Sequence, residues 1–110
     1  MEKILVVNSN PDTCLLLTGF LSKNGYATGT ASNGKAAIAW LKKNNPDLVL
    51  CGFKLDDMSS VALLSYIKEM QPAIETIITS GDNNAKDAVE FMKLGAFDYV
   101  TNSLRPEQIL

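Results

Sequence analysis

Short runs of apolar residues alternate along this chain with longer stretches whose apolar positions recur at helical spacing. The runs at residues 4–7 and 47–51 are nearly continuous and rich in branched side chains, which predicts strands covered on both faces. Residues 26–31, 74–79 and 97–101 predict three further strands. The pattern therefore indicates five strands, with a longer connection between one strand and the next.

Signals for the starts and ends of helices lie within these connections. Asn10, Pro11 and Asp12 supply an N-cap, a proline at the first helical position and an acid in the first turn. Further helices are predicted to start at residues 32–34, to cover 60–70, and to cover 83–94 before Gly95. Strands that alternate with helices predict an α/β fold: a doubly wound five-stranded parallel sheet with helices on both faces.

Binding sites in a doubly wound sheet form beyond the carboxyl ends of the strands, where the strand order reverses. In this sequence the residues at the ends of strands one, three, four and five are Asn8, Ser9, Gly52, Ser80 and Asn102. The predicted geometry therefore selects these five positions as candidate site residues.

Composition narrows the functions that such a site could serve. The 110 residues suffice for one domain, and a net charge of -2 gives no basic patch for nucleic acid. Histidine is absent, which excludes hydrolase triads that need it, the usual zinc sites and a phosphohistidine carrier. Cys14 and Cys51 lack CxxC spacing and are predicted to be free buried thiols. Since no signal peptide or membrane-spanning run is recognisable, we expect a cytoplasmic protein.

Four segments carry a resemblance to a known family. They read ILVVNSNPD, GYATGTASNGKAAIAWLKKNNPDLVL, KLDDM and AVEFMKLGAFDYVTNS. In this order they resemble a bacterial response-regulator receiver domain over the whole chain, and LGAFDYV is particularly similar to receivers of enhancer-binding transcription activators. The resemblance implies one flavodoxin-like receiver domain over residues 1–110, with strand order 2-1-3-4-5. Residues 105–107 look like the first turn of a fifth helix cut short at Leu110, so we expect the N-terminal part of a longer chain.

The same resemblance reveals where this sequence departs from the family. An active receiver accepts a phosphoryl group on an aspartate that ends strand three. It also has two acids after strand one for Mg²⁺, a Thr or Ser after strand four and a Lys after strand five. Here Asn8 and Ser9 replace the acids, Gly52 replaces the acceptor, Asn102 replaces the lysine, and only Ser80 remains. Because phosphoryl transfer needs a nucleophile, a cation site and positive charge, we predict a pseudo-receiver: not an enzyme, with no metal and no cofactor.

Other polar and aromatic residues near the site are expected to have structural roles. Asp56 and Asp57 follow Gly52 in the same loop and are interpreted as solvated loop acids. Ser80 and Tyr99 match the two switch positions of the family. Because a population shift needs a ligand with differential affinity, we favour a turn cap for Ser80 and an ordinary strand aromatic for Tyr99.

The fourth predicted helix provides a hypothesis about partners. Its expected core stripe consists of Ala85, Ala88, Val89 and Met92. Phe91 lies roughly 200° around the helix from Val89, so it is predicted to point away from the core. In the resembled family this helix and strand five form the output face. Phe91 and Tyr99 are therefore candidate contacts for a homodimer or protein partner, although a single exposed aromatic is equally compatible with ordinary surface.

The preferred function is a phosphorylation-independent signalling and interaction module. It would regulate transcription through an output domain C-terminal to Leu110, without contacting nucleic acid or membrane itself. Two alternatives stay open. A small-molecule or anion sensor could use the neutral polar pocket emptied at Gly52. An FMN-type redox carrier shares the fold but is disfavoured, because the phosphate-binding loop is missing and aromatics are few near the strand ends.

Overall fold

The computed structural model describes residues 2–80 and 85–101 of the chain. Its strands are β1 (Lys3–Val7), β2 (Ala27–Ala31), β3 (Leu48–Gly52), β4 (Glu75–Ser80) and β5 (Asp98–Thr101). They form one five-stranded parallel sheet in the order β2-β1-β3-β4-β5. The predicted α/β class and strand order are confirmed.

Four helices connect these strands: α1 (Pro11–Lys23), α2 (Gly34–Leu41), α3 (Ser60–Met70) and α4 (Ala85–Lys93). The Asn10 side chain accepts hydrogen bonds from the N–H groups of Asp12 and Thr13, at 2.9 and 3.3 Å, which confirms the predicted cap of α1. Asn33 and Ser59 cap α2 and α3 in the same way. The predicted fifth helix lies outside the described residues. In the part of the chain that is described, no helix has the length and apolar character needed to cross a bilayer.

Both faces of the sheet are covered, as the continuous apolar strands predict. Alternate residues point to opposite faces, so Leu5 and Val7 meet α2, α3 and α4 whereas Ile4 and Val6 meet α1. All four side chains are essentially inaccessible to solvent. The carboxyl ends of the central strands therefore emerge between two buried clusters of apolar side chains, one on each face of the sheet.

The orientation of α4 contradicts the prediction. Phe91 is buried, with 3% of its surface exposed, whereas Val89 and Met92 are 54% and 47% exposed. Spacing alone permits two stripes on this helix, because Ala88 and Phe91 are also three residues apart. The stripe that contains the aromatic ring faces the sheet, since burying that ring removes more apolar surface from water than burying Val89 would.

Candidate functional site at the carboxyl edge of the sheet

The register of the central strands brings Asn8 beside Gly52. Val7 pairs with Cys51, so the next residue of each chain segment lies at the same level of the sheet. The Asn8 N–H donates to the carbonyl oxygen of Ala31 at 3.0 Å, which extends the β1–β2 pairing by one residue. Gly52 in turn pairs with Thr79 of β4. The ends of β1, β3 and β4 thus share one edge.

The side chain of Asn8 lies directly over Gly52. Its Oδ1 accepts a hydrogen bond from the Asn10 N–H at 2.9 Å. A Cβ atom on residue 52 would lie 3.0 Å from Asn8 Nδ2 and 3.5 Å from the carbonyl oxygen of Val7. The place where an acceptor side chain would begin therefore borders a neutral carboxamide.

The remaining predicted site residues differ in how closely they approach this pair. The Ser9 hydroxyl donates to the carbonyl oxygen of Lys54 at 3.4 Å, linking the turn after β1 to the loop after β3. Ser80 is the last residue of β4, is 7% exposed and pairs with Thr101. Asn102 lies outside the described residues. The structure thus brings Asn8 and Gly52 into contact and places Ser9 and Ser80 at the same edge.

Asp57 has a structural partner that the sequence did not reveal. Its carboxylate accepts the backbone N–H groups of Gly34 and Lys35, at 2.8 and 2.9 Å, at the first turn of α2. The N–H groups of Lys35 and Gly34 lower the pKa of this carboxyl group, because they stabilise its charged form. Interpreting Asp57 as a merely solvated loop acid was therefore wrong. Since its partners are more than 20 residues away in the chain, no local sequence signal marks this contact.

Three aromatic rings pack together beside the candidate site. The centroid of the Phe91 ring lies 5.7 Å from that of Phe53, edge to face, and 5.7 Å from that of Tyr99. The predicted interaction face of Phe91 and Tyr99 is therefore wrong for Phe91, which belongs to the core. The Tyr99 hydroxyl is buried, and no residue described in the structure hydrogen-bonds to it. Phe53, which follows Gly52 directly, was not singled out from the sequence.

The cysteines offer no reactive group at this edge. Both are free thiols, as predicted, and Cys51 is buried, but Cys14 is only half-buried, so the prediction of burial was wrong for Cys14. Burial raises the pKa of Cys51 to about 12, so its thiol stays protonated at neutral pH. Burial also raises the pKa of Cys14, whose thiol donates a hydrogen bond to the Asn8 carbonyl oxygen at 3.4 Å.

Among residues 2–80 and 85–101, no three or more His, Cys, Asp or Glu side chains form a group that could hold a metal ion.

A cavity of about 550 Å³ lies between the loop after β3, the start of α3 and the outer part of α4. Phe53, Met58, Val61 and Phe91 provide apolar parts of its lining, which includes none of the five predicted site residues.

Comparison with known proteins identifies the family. The response regulator receiver domain model matches residues 4–110. The transcriptional regulatory protein ZraR of Escherichia coli (strain K12) is 35% identical over 101 residues, covering 92% of this chain and 23% of that protein. The nitrogen assimilation regulatory protein NtrX of Azorhizobium caulinodans is 30% identical over 112 residues, 97% of this chain and 24% of that protein. The chain thus spans about a quarter of the length of these curated relatives.

Solved structures agree with this assignment. The receiver domain of NtrX from Brucella abortus superposes with a TM-score of 0.90 at 30% identity, covering 96% of this chain and 90% of that one. A CheY-like receiver domain protein from Methanospirillum hungatei JF-1 has the same fold, with a TM-score of 0.92 at 22% identity, over 99% of this chain and 87% of its own. This chain belongs to the response regulator receiver domain family.

Proposed function

We propose that this receiver domain signals without being phosphorylated, as a protein-interaction module that is held in one conformational state or controlled by protein contacts. The observation that carries the proposal is Gly52 at the end of β3, where an active receiver has its acceptor aspartate. A phosphoryl acceptor must provide a nucleophilic oxygen, and glycine has no side chain to provide one. Asn8 and Ser9 are neutral, so Mg²⁺ would also lack the carboxylate ligands that usually hold it.

Contacts at the carboxyl edge of the sheet favour a single conformation of the loop after β3 and of α4. Asp57 holds the loop after β3 to the start of α2, and Ser9 joins the same loop to the turn after β1. On the other side, the rings of Phe53 and Tyr99 enclose Phe91 of α4. A shift between states needs a ligand that binds one state more tightly. With the phosphoryl group excluded on chemical grounds, that ligand is a protein surface.

The relatives suggest what such a domain controls. ZraR and NtrX are named as regulatory proteins, and this chain matches less than a quarter of ZraR. We infer that the domain regulates transcription through an output domain C-terminal to Leu110. The net charge of -2 argues against DNA contact by the receiver domain itself.

The outer face of α4 is the proposed contact surface, in place of the Phe91 face predicted from sequence. Val89 and Met92 are exposed there three residues apart, and Glu90 and Lys93 lie beside them, also exposed. A two-fold axis across α4 would pair Glu90 of each copy with Lys93 of the other, around an apolar centre. A second copy of this chain is therefore the occupant that we propose.

Sedimentation velocity over a range of concentrations tests this contact. Met92→Glu places a charge in the centre of the proposed surface and should abolish self-association. Met70→Glu is the matched control, because Met70 is 60% exposed at the end of α3 and should leave self-association unchanged. A parent domain that stays monomeric at all concentrations, or equal effects of both variants, would contradict the dimer.

An amide NMR titration tests independence from phosphorylation. The domain is titrated with Mg²⁺ and then with Mg²⁺ plus beryllofluoride, following Asn8, Gly52, Ser80 and Asn102. A receiver with aspartate at the acceptor position serves as the positive control. We expect no saturable shifts at these four residues. Saturable, Mg²⁺-dependent shifts would mean that the edge still recognises a phosphoryl-like group, and the proposed function would then be wrong.

A further inference from the structure

The side chain of Asn8 occupies space that an acceptor side chain would need. A Cβ atom on Gly52 would lie 3.0 Å from Asn8 Nδ2 and 3.5 Å from Asn8 Cγ. A separation of 3.0 Å between this carbon and the Nδ2 nitrogen is tighter than ordinary van der Waals contact, which spans 3.4–4 Å. The Asn8 side chain therefore fills part of the pocket that the sequence predicts to be empty at Gly52.

Three hydrogen bonds involve Asn8, two through its backbone and one through its side chain. Its N–H donates to Ala31, its Oδ1 accepts from the Asn10 N–H, and its carbonyl oxygen accepts from the Cys14 thiol. Asn10 is itself fixed, because its side chain caps α1. A swing of the Asn8 carboxamide away from Gly52 would break its Oδ1 contact with the Asn10 N–H, so the carboxamide has little freedom to move.

We propose that Asn8 and Gly52 are a matched pair in which the Asn8 carboxamide is the built-in occupant of the acceptor position. The absence of a Cβ at residue 52 lets Asn8 Nδ2 approach to within 3.0 Å of the position that this atom would occupy. The inference rests on the proposed function for one point only, the identification of this edge as the degenerate phosphorylation site.

A double-mutant cycle tests the pairing, with urea unfolding of single and double variants. Gly52→Ala adds the Cβ at a residue whose φ is not positive, so alanine fits the backbone. In the parent we expect Gly52→Ala to lower the folding equilibrium constant by about fivefold, because the added carbon meets the anchored carboxamide. In an Asn8→Ala background it should leave that constant unchanged or raise it by up to about fivefold, since alanine restricts the unfolded chain.

Gly19→Ala is the control for the general effect of replacing glycine. Gly19 lies in α1, and a Cβ atom added there would meet nothing within 4 Å, so alanine should raise the folding constant about two- to fivefold in both backgrounds. A second readout does not require Asn8→Ala to fold. In the Gly52→Ala variant, the side-chain NH₂ resonances of Asn8 should shift, while those of Asn44 should stay in place.

Equal effects of Gly52→Ala in both backgrounds, or unshifted Asn8 side-chain resonances, would overturn the pairing. The outcome is separable from that of the beryllofluoride titration. An additive cycle without any beryllofluoride response would refute the built-in occupant and leave phosphorylation independence intact. A saturable beryllofluoride response would refute phosphorylation independence whatever the cycle shows.

Discussion

Replacing Phe91 with alanine tests how α4 packs against the sheet. The ring is 3% exposed and contacts the rings of Phe53 and Tyr99, each at 5.7 Å between centroids. Truncating a buried phenylalanine costs about 3–5 kcal/mol, of which each lost ring pair contributes about 0.5–1.5 kcal/mol. We therefore expect Phe91→Ala to lower the free energy of unfolding by about 3–4 kcal/mol, a large share of the roughly 5–15 kcal/mol typical of a domain.

Urea unfolding followed by tryptophan fluorescence measures this loss. Trp40, the single tryptophan, packs against Gly29 of β2, the edge strand farthest from β5, so it reports unfolding from the opposite edge of the sheet. Val89→Ala is the matched control on the same helix, because Val89 is 54% exposed. Since Val89 lies in the proposed dimer contact, both variants are measured at a concentration at which the domain is monomeric. Its effect should stay within about 0.5 kcal/mol, as for other surface substitutions. If Val89→Ala cost as much as Phe91→Ala, the observed orientation of α4 would be refuted.

Three further predictions concern single side chains. The N–H groups of Lys35 and Gly34 lower the pKa of Asp57 in the folded domain. The stability that Asp57 contributes is therefore complete above its unfolded-state pKa of about 3.9 and is lost as the pH falls through the lowered folded-state pKa. Urea midpoints between neutral and acidic pH should therefore fall more steeply below about pH 4 for the parent than for Asp57→Asn; parallel curves would contradict this. Since burial raises the pKa of Cys51 to about 12, iodoacetamide should label Cys14 first in the folded domain, and early labelling of Cys51 by peptide mass mapping would count against its burial. Tyr99→Phe removes a buried hydroxyl with no hydrogen-bond partner among the residues described, so the urea midpoint should hold or rise; a loss above about 1 kcal/mol would reveal a partner.

The sheet and the helix starts were predictable because their signals are local. A strand covered on both faces needs an apolar residue at nearly every position, and residues 4–7 meet that requirement without reference to any other part of the chain. Asn10 likewise signals a helix start through its own side chain, which accepts hydrogen bonds from Asp12 and Thr13. Strand order followed from the resemblance, and the observed strand order agrees with it.

The rotation of α4 and the role of Asp57 depend on tertiary contacts, which a periodicity cannot report. Ala88 and Phe91 share a spacing with Val89 and Met92, so spacing cannot decide which pair faces the sheet, whereas the contacts of Phe91 with Phe53 and Tyr99 show it. Asp57 meets Gly34 only once β2 and β3 have been placed in the sheet.

The candidate site also has one part that the sequence predicts and one part that depends on tertiary contacts. The identities of Asn8 and Gly52 are enough to predict which chemical groups are missing, because reactivity belongs to the side chains themselves. What fills the vacated volume depends instead on register: Val7 pairs with Cys51, which puts Asn8 level with Gly52 and turns its carboxamide into a neighbour. Two things therefore describe a degenerate site: the chemical group that was lost, and the side chain that now lies at the vacated position. In this domain that side chain belongs to the residue that follows β1, one strand away from the position that lost its acceptor.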